Sequence, residues 1–346
     1  MKRNLKSLLL IVLFFSIFGC SKNEVKFDSK KEVTELIWPS KPEKPRIAFA
    51  GSFSNAEDLG IEKGFFKWVV EVFAGEEQQR LVTPMGIIGT TDNLIYVADP
   101  GVQGVHRFDM PNNDYTLIRL PNDQLMQQPV SLAIGRNGSV FITDSTAGKI
   151  YKLKKGEDEA RVFHTDESVS QPTGISVDQD TGWVYVVDTI NHQVKVFEES
   201  GEYLMSFGGR GGGQGKFNFP TMIWRDKKDQ LLISDSMNFR VQTFTVQGQF
   251  VKSFGKIGSG GGQHSRPKGI ASDNNGNIYV VDSMFAVIQM FSPEGEFLMH
   301  FGQAGNKKGE FWLPTNVFIK ENEAIYVADT FNKRIQVFYY IGGKSL

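Results

Sequence analysis

The chain contains 346 residues, with one cysteine and a formal net charge of −1. A single cysteine excludes disulfides within the chain, metal sites built from several thiolates and c-type haem attachment. A nearly neutral chain without a basic block lacks the electrostatic footprint of a nucleic-acid-binding protein, so we expect no nucleic-acid partner.

The first twenty residues have the layout of an export signal. A basic start at residues 2–6 precedes an apolar run at residues 8–18, which is too short to span a membrane as a mature helix. The run leads into residues 17–20 (Ile-Phe-Gly-Cys), which resemble a bacterial lipobox. The resemblance implies a lipoprotein signal peptide at residues 1–20, lipidation of Cys20 and export to the bacterial cell envelope, with an anchor in the outer membrane. The alternative is an ordinary signal peptide with a chance cysteine.

Residues 21–45 form a polar segment with three prolines near its end. Such a composition is typical of a linker, and we predict a tether between the lipid and a globular body. The globular body is predicted to span residues 46–340 and to be followed by a tail at residues 341–346.

From residue 84 onward, a proline opens a short apolar run six times, and an aspartate follows 15 or 16 residues later. The prolines recur at intervals of 43 to 48 residues. A fixed period of this size indicates a repeat architecture, in which neighbouring units share one continuous core. The pairs are Pro84 and Asp99, Pro129 and Asp144, Pro172 and Asp188, Pro220 and Asp235, Pro267 and Asp282, and Pro314 and Asp329.

Each repeat unit contains four short segments rich in β-branched and aromatic residues. In the third unit these segments begin at Pro172, Trp183, Gln193 and Tyr203. They are bounded by Gly, Asp, Asn or Pro, and Asn-Gly or Ser-Gly pairs between them are hairpin signals. Each unit is therefore predicted to be a four-stranded antiparallel meander. Six such units in a row predict an all-β fold, namely a six-bladed β-propeller.

Four sequence elements recur in register across the units: Pro-x-Gly-Ile, Tyr-Val-x-Asp, Asn-x-Arg-Val/Ile-Gln and Phe-Gly. Clear examples are residues 279–282 (Tyr-Val-Val-Asp) and residues 332–338 (Asn-Lys-Arg-Ile-Gln-Val-Phe). Together these elements resemble the NHL repeat, and the resemblance covers residues 46–340. It implies the same six-bladed propeller. Units one, two and five depart from the pattern, with Val102, Ala147 and Phe285 where the other units have asparagine.

The sixth unit ends after its third strand, and a matching strand stands at the N-terminal end of the body. We therefore predict that residues 46–51 pair with residues 334–339 and close the ring. Between this strand and Pro84, apolar residues recur at helical spacing, which predicts a short inserted helix at residues 62–75. Three roles stay open for it: a lid packed on the propeller, a contact with the membrane surface, or a partner-binding helix. The residues that would serve these roles are Phe65, Trp68, Val69 and Phe73.

One face of the predicted propeller carries the loops between second and third strands and the loops between blades; we call it the loop face. The channel mouth on this face is the expected binding site. The repeated aspartates are interpreted as acceptors of backbone N–H bonds from the turn that follows each of them, because radially dispersed carboxylates cannot converge on one calcium ion. Two histidines of this face, His192 and His264, are expected to be solvated. The candidate binding residues are Lys268, Thr173, Thr221, Thr315, Asn316, Asn238, Arg240, Asn332 and Arg334.

These features predict a lipid-anchored envelope scaffold that binds an envelope protein or a small ligand, as a monomer without a cofactor or metal. The alternative is an envelope lyase or hydrolase with its site at the channel mouth around Lys268, Thr173 and Asn316. No acid–base pair or metal set assembles from the sequence, so no catalytic residue is assigned.

Overall fold

The computed structural model describes residues 36–40, 42–61, 80–163, 165, 167–320 and 324–342. Cys20 with the predicted signal peptide, most of the predicted tether and the predicted helix at residues 62–75 lie outside these ranges. Within the described ranges, no helix is both long and apolar enough to cross a membrane.

The described chain forms six antiparallel sheets. Five of them contain four strands that follow one another in sequence, and the sixth joins strands from the two ends of the chain. The first strands of neighbouring sheets contact each other and surround a central channel. The fold is therefore the predicted six-bladed β-propeller of four-stranded antiparallel blades.

The strands are numbered in chain order and grouped by blade as follows. Blade 1 has β3 (Gly86–Gly89), β4 (Leu94–Asp99), β5 (Gly104–Asp109) and β6 (Asp114–Ile118); blade 2 has β7 (Pro129–Ile134), β8 (Val140–Asp144), β9 (Lys149–Leu153) and β10 (Arg161–Val162); blade 3 has β11 (Pro172–Val177), β12 (Val184–Asp188), β13 (Gln193–Phe197) and β14 (Tyr203–Gly208). Blade 4 has β15 (Pro220–Arg225), β16 (Gln230–Asp235), β17 (Arg240–Thr245) and β18 (Phe250–Phe254); blade 5 has β19 (Pro267–Ser272), β20 (Ile278–Asp282), β21 (Val287–Phe291) and β22 (Phe297–Phe301); blade 6 has β23 (Asn316–Ile319), β24 (Ala324–Asp329), β25 (Arg334–Tyr340), β2 (Ile47–Phe53) and β1 (Ile37–Trp38). Short 3-10 turns lie at Glu57–Leu59, Pro121–Asp123, Ser236–Asn238 and Thr330–Asn332.

An N-terminal strand closes the ring, as predicted. β2 pairs antiparallel with β25, with Ile47 opposite Tyr340 and Phe53 opposite Ile335. Backbone hydrogen bonds therefore join the two ends of the chain within one sheet. This closure leaves no unpaired gap between the first and last blades.

The C-terminal part of the predicted tether belongs to the fold. β1 pairs with β2 at the outer edge of blade 6. Trp38 packs on Phe338 and Phe301, with ring centroids 5.8 and 6.1 Å apart. The predicted end of the tether at residue 45 is therefore wrong. The physical reason is that the apolar pair Ile37-Trp38 is stabilised by covering the outer strand of the blade.

The second strand of each blade forms the most buried layer. Every residue of β12 and of β20 is buried. These strands are continuous β-branched and aromatic runs because neighbouring blades cover both of their faces. The outer strand β18, in contrast, alternates between partly and fully exposed residues. The core of the propeller therefore lies between the blades, and its rim is solvated.

The glycine of the Pro-x-Gly-Ile element permits close approach of neighbouring first strands. A Cβ added to Gly174 would lie 2.6 Å from the Cα of Met222, and one added to Gly269 would lie 2.6 Å from the Cα of Asn316. Such distances are too short for any side chain, so the recurring glycine is explained by backbone packing.

Candidate functional site

The six repeated aspartates lie at the loop-face ends of the second strands and are fully buried. In blade 2, Asp144 accepts hydrogen bonds from the backbone N–H groups of Gln127 at 2.7 Å and Gln128 at 2.9 Å. These donors belong to the segment that enters the first strand of the same blade. Asp99, Asp188 and Asp282 accept equivalent pairs of bonds. The interpretation of the aspartates as acceptors of backbone N–H bonds is thus confirmed, although their main donors are upstream rather than in the following turn.

Four predicted binding residues fasten the Gly-rich loops of blades 4 and 6. Arg240 Nε donates to the carboxylate of Asp235 at 2.9 Å, while its Nη2 donates to two carbonyls of the preceding Gly-rich loop. Asn238 Nδ2 bridges the same carboxylate and a third loop carbonyl. Asn332 and Arg334 repeat this arrangement in blade 6. The polar groups of these side chains are therefore engaged within the protein.

Three predicted binding threonines take part in hydrogen bonds between blades. The Oγ1 of Thr173 lies 2.7 Å from Thr189 Oγ1, which donates to the Pro220 carbonyl of the next blade at 2.7 Å. Thr221 pairs with a serine hydroxyl in the same way, and Thr315 pairs with a threonine hydroxyl and also donates to the next blade. These hydroxyls link blades around the mouth of the channel.

Lys268 and Asn316 differ from the other predicted residues in their surroundings. Lys268 is the second residue of β19 and is partly buried. Burial, and then the charge of Arg266, hold the pKa of Lys268 below its usual value. No carboxylate among the described residues pairs with it. Asn316 is buried, and its Nδ2 lies 3.9 Å from the Sδ of Met222.

The two histidines expected to be solvated are buried, with 6% of His192 and none of His264 exposed. His192 Nδ1 accepts a hydrogen bond from the backbone N–H of Phe219 at 3.0 Å. His264 occupies the loop position that Phe217 and Phe311 occupy in the neighbouring loops, and all three are fully buried. The expectation was wrong because this loop position turns inward and fills the space beside the blade.

Met222 fills the middle of the central channel. Its Sδ lies 3.5 Å from Ser131 Oγ in blade 2 and 3.9 Å from Asn316 Nδ2 in blade 6. Residues from three alternate blades thus meet at this level. The first strands enclose only a small space here, with a volume of about 190 Å³. The channel is therefore narrow at the level of Met222.

A cavity of about 1270 Å³ opens on the face opposite the loop face, and we call it the funnel. Trp224 and Phe318 line it where it meets the channel, with ring centroids 6.2 Å apart and planes at 68°. Trp224 Nε1 donates to Ser272 Oγ at 3.0 Å. Turns between first and second strands form most of the wall, with residues from all six blades. The funnel thus combines an aromatic floor with a polar wall.

Several cations of the funnel wall are paired with carboxylates. Arg225 Nη2 lies 2.6 Å from Asp229 and also contacts two further aspartates. Lys155 Nζ lies 3.1 Å from Asp92. A hydrogen bond from Thr90, followed by contacts with Lys155, outweighs the effect of burial and lowers the pKa of Asp92. These pairs reduce the charge that the wall presents to a ligand.

Sequence reasoning missed the funnel and its aromatic floor. Trp224 and Phe318 each stand four residues after the blade proline. The other blades have aliphatic or small residues at this repeat position: Ile88, Ala133, Ser176 and Ala271. Two aromatic residues at a position otherwise held by smaller side chains are the signal that could have found the floor.

The remaining predicted site residues, namely Cys20 and the helix residues Phe65, Trp68, Val69 and Phe73, lie outside the described residues. Among the residues that the structure does describe, no three His, Cys, Asp or Glu side chains converge as a metal ion would require.

A family model described as a 6-bladed beta-propeller matches residues 164–252, 223–289 and 272–344, which together span just over half of the chain. The chain belongs to this 6-bladed beta-propeller family. The family match begins in blade 3 and extends through blade 6, so it covers the three blades that keep the repeat pattern together with blade 5. Blades 1 and 2, which the model does not match, are also two of the three that depart from the repeat pattern.

Named proteins similar to this propeller are distant. Antigen Lp49 of Leptospira interrogans serogroup Icterohaemorrhagiae serovar copenhageni (strain Fiocruz L1-130) is 21% identical, and the match covers 52% of the chain and 42% of Lp49. The chain therefore matches less than half the length of this curated relative.

Solved structures share the fold at low sequence identity. Virginiamycin B lyase from Staphylococcus aureus superposes with a TM-score of 0.57 at 17% identity, covering 75% of this chain and 96% of the lyase. An auxiliary nutrient binding protein from Bacteroides thetaiotaomicron superposes with a TM-score of 0.58 at 13% identity, covering 76% of this chain and 71% of that one. At these identities the likeness concerns the fold alone.

Proposed function

We propose that this propeller is a binding protein that holds a small polar ligand in the funnel. The observation that carries the proposal is a cavity of about 1270 Å³ whose floor is Trp224 and Phe318 and whose wall is polar. A concave site with aromatic side chains and a few polar groups is the usual form of a small-molecule site.

The chemistry of the funnel favours a ligand with both hydrogen-bonding groups and an apolar face. An apolar face would pack on Trp224, and hydroxyl or amide groups would meet the turns of the wall. A neutral polar ligand would not need to displace the ion pairs Arg225–Asp229 and Lys155–Asp92 of the wall. The fold is shared with a protein named as an auxiliary nutrient binding protein, and this is compatible with such a role.

Thermal unfolding with defined compounds tests the proposal. The full-length protein would be screened against separate panels of sugars, nucleosides and amino acids. A ligand at 100 times its Kd should stabilise the fold by about 2.7 kcal/mol. Trp224→Ala should abolish the ligand-induced rise in melting temperature. The same change at Trp312, which is exposed on the loop face, should leave this rise unchanged.

Two results would contradict the proposal that the ligand binds in the funnel. One is a ligand-induced shift that survives Trp224→Ala, since the floor would then not contact the ligand. The other is a set of panels without any stabilising compound. Trp224→Phe keeps an aromatic floor and is the control for a folding defect. It should retain part of the ligand-induced rise in melting temperature.

In this proposal, lipidation of Cys20 determines where the protein lies in the cell. A lipid on Cys20 would hold the propeller at the envelope membrane, with the NHL-type body extended from it by residues 21–35. Growth with a radiolabelled fatty acid tests this: label should appear on the protein and disappear in Cys20→Ser. Unlabelled protein would remove the anchor from the proposal without affecting the funnel.

A lyase or hydrolase at the loop-face mouth is a second candidate, and one observation favours it. The lowered pKa of Lys268 makes its neutral amine more available as a base or nucleophile. Borohydride reduction in the presence of pyridoxal phosphate should then attach the aldehyde to Lys268 first, as peptide mass spectrometry would reveal. Modification of surface lysines at the same rate would contradict this candidate.

A further inference from the structure

Large apolar side chains project from the loop face in four consecutive blades. They stand two residues after the blade aspartate, at Ile190, Met237, Met284 and Phe331, and between 43% and 56% of each is exposed. Phe219 and Trp312 lie in the neighbouring blade-to-blade loops and are 41% and 55% exposed. We call these six residues the apolar collar.

The collar covers only part of the ring. Trp312 and Phe331 extend it as a contact pair with ring centroids 5.6 Å apart. At the same repeat position, blades 1 and 2 have Gly101 and Thr146. The position therefore accepts small or polar residues, and the fold itself does not require exposed apolar side chains there. A cluster of exposed apolar residues on one face is typical of an interaction surface.

A single lysine stands inside the collar. Ser236 Oγ donates to the Pro267 carbonyl, which places Met237 beside Lys268 on one side. The Ser283 N–H donates to the Arg266 carbonyl at 3.1 Å, which places Met284 beside Lys268 on the other side. No carboxylate of the described residues pairs with this lysine. The start of β19, with Lys268 as its second residue and the exposed Arg266 just before it, thus lies between the loops that carry Met237 and Met284.

We propose that the apolar collar binds a segment of a partner protein that carries apolar side chains around one acidic residue. The acidic side chain would pair with Lys268, and the apolar side chains would cover Met237, Met284 and Phe331. Methionine side chains adapt to differently shaped apolar partners, and a central charge selects the register of the bound segment. This surface is on the face opposite the funnel, and the proposal does not depend on a ligand there.

Selection from a displayed library of random twelve-residue peptides on the full-length protein tests the proposal. Binders to the variant Met284→Ser/Phe331→Ser would be removed by counter-selection. We expect enriched peptides to contain Asp or Glu between Leu, Ile or Phe residues. Lys154→Ala, an exposed change beside the funnel on the opposite face, serves as a control and should enrich the same peptides.

A double-mutant cycle on one enriched peptide then isolates the charge contact. Replacing its acidic residue by the amide should raise the Kd for the wild-type protein roughly tenfold, which corresponds to about 1.4 kcal/mol. For Lys268→Met the same replacement should have little effect, because the cation is gone. Thr146→Ser, at the equivalent loop position of blade 2, should bind both peptides as the wild type does.

Four results would overturn the proposal. They are the absence of enrichment, enriched peptides without acidic residues, flotation with lipid vesicles that depends on Phe331, and enrichment only after deletion of residues 62–79. The last result would assign the collar to the protein's own segment. Flotation with phosphatidylcholine and phosphatidylglycerol vesicles that is lost in Phe331→Ser would assign it to a lipid surface instead.

Discussion

The side chain that approaches the buried aspartate differs between blades 4 and 6 and blades 1 and 5. In blades 4 and 6, Arg240 and Arg334 bind the carboxylate at 2.9 and 2.7 Å and also hold the Gly-rich loop. In blade 1, His106 Nε2 lies 3.3 Å from Asp99, and a histidine of the blade-to-blade loop approaches the aspartate of blade 5 at 3.6 Å. The segment that enters the first strand donates two backbone N–H bonds to the aspartate in blades 1 and 5 and one in blades 4 and 6.

The difference shows which part of the repeat is structural and which part can vary. The aspartate and its backbone donors fix the entry of the first strand in every blade, so they recur. The side chain that approaches the aspartate can be an arginine or a histidine. Where arginine is absent, as at Val287 in blade 5, the position no longer fastens the loop. The variable blades are therefore the ones in which the loop face can acquire other surface properties.

Removing the aspartate should have the largest effect and should separate the two kinds of blade. Asp329→Ala leaves the mostly buried guanidinium of Arg334 without its carboxylate, which costs about 3–5 kcal/mol. Asp99→Ala leaves His106, which can stay neutral, so its cost should be about 2–3 kcal/mol. Urea unfolding of both variants measures the difference. Equal losses would contradict the distinction between the blades.

Removing the arginine should loosen one loop without affecting the equivalent loop. Arg334→Met removes its bond to Asp329 and two bonds to loop carbonyls, for a loss of about 1.5–3 kcal/mol. Amide hydrogen exchange should become faster in residues 303–313. Val287→Met, at the same repeat position in blade 5, is the matched control and should leave exchange in residues 256–266 unchanged. Unchanged protection of residues 303–313 in Arg334→Met would show that the loop is held by other contacts.

The architecture was predictable because its determinants are local and repeat in register. The Pro-to-Asp period and the strand-like segments defined six blades. The unmatched strand at residues 46–51 located the closure. The end of the tether was missed because two apolar residues, Ile37-Trp38, give too short a pattern to indicate a strand.

The site was less predictable because its features depend on three-dimensional packing. The sequence placed Thr173 and Arg240 on the loop face but did not reveal that their polar groups are bound within the propeller. The burial of His264 follows from the inward turn of its loop, which the sequence does not specify. The funnel arises from turns of all six blades, and no single segment contains its pattern.

Replacing the histidine of blade 1 should change the pH dependence of stability. Burial alone would raise the pKa of Asp99, but the hydrogen bond and charge of His106, with two backbone N–H bonds, lower it. The stabilisation is therefore present above the unfolded pKa of about 3.9 and is lost as the pH falls through the folded pKa. His106→Gln removes the charge of the imidazole but keeps a donor, because glutamine at this position donates to the blade aspartate at 3.0 Å in blades 4 and 6. The pKa of Asp99 should therefore rise only in part.

The melting temperatures of the wild type and of His106→Gln should therefore differ most at neutral pH and converge as the pH approaches 3. A loss of about 1 kcal/mol at pH 7 is expected for His106→Gln. Glutamine already stands at this position in blades 4, 5 and 6, as Gln242, Gln289 and Gln336, so the side chain is compatible with the fold. A constant difference across the whole pH range would mean that packing, rather than the Asp99 charge, accounts for the loss.

The smallest expected effect concerns Lys268 of blade 5, which has no carboxylate partner among the described residues. Because burial lowers the pKa of Lys268, the unfolded chain holds this proton more tightly than the folded protein does. The charged lysine thus destabilises the fold at neutral pH, and the penalty disappears as the pH rises through the folded pKa towards the unfolded value of about 10.4.

Lys268→Met should therefore be slightly more stable than the wild type at pH 7 and no more stable at pH 10, whereas Lys256→Met, which removes an exposed lysine, should show neither effect. Urea unfolding at the two pH values measures this. A gain at pH 7 would show that blade 5 carries an unpaired cation at a cost in stability, in contrast to the paired arginines of blades 4 and 6, while a loss would show that Lys268 has a stabilising partner on the loop face.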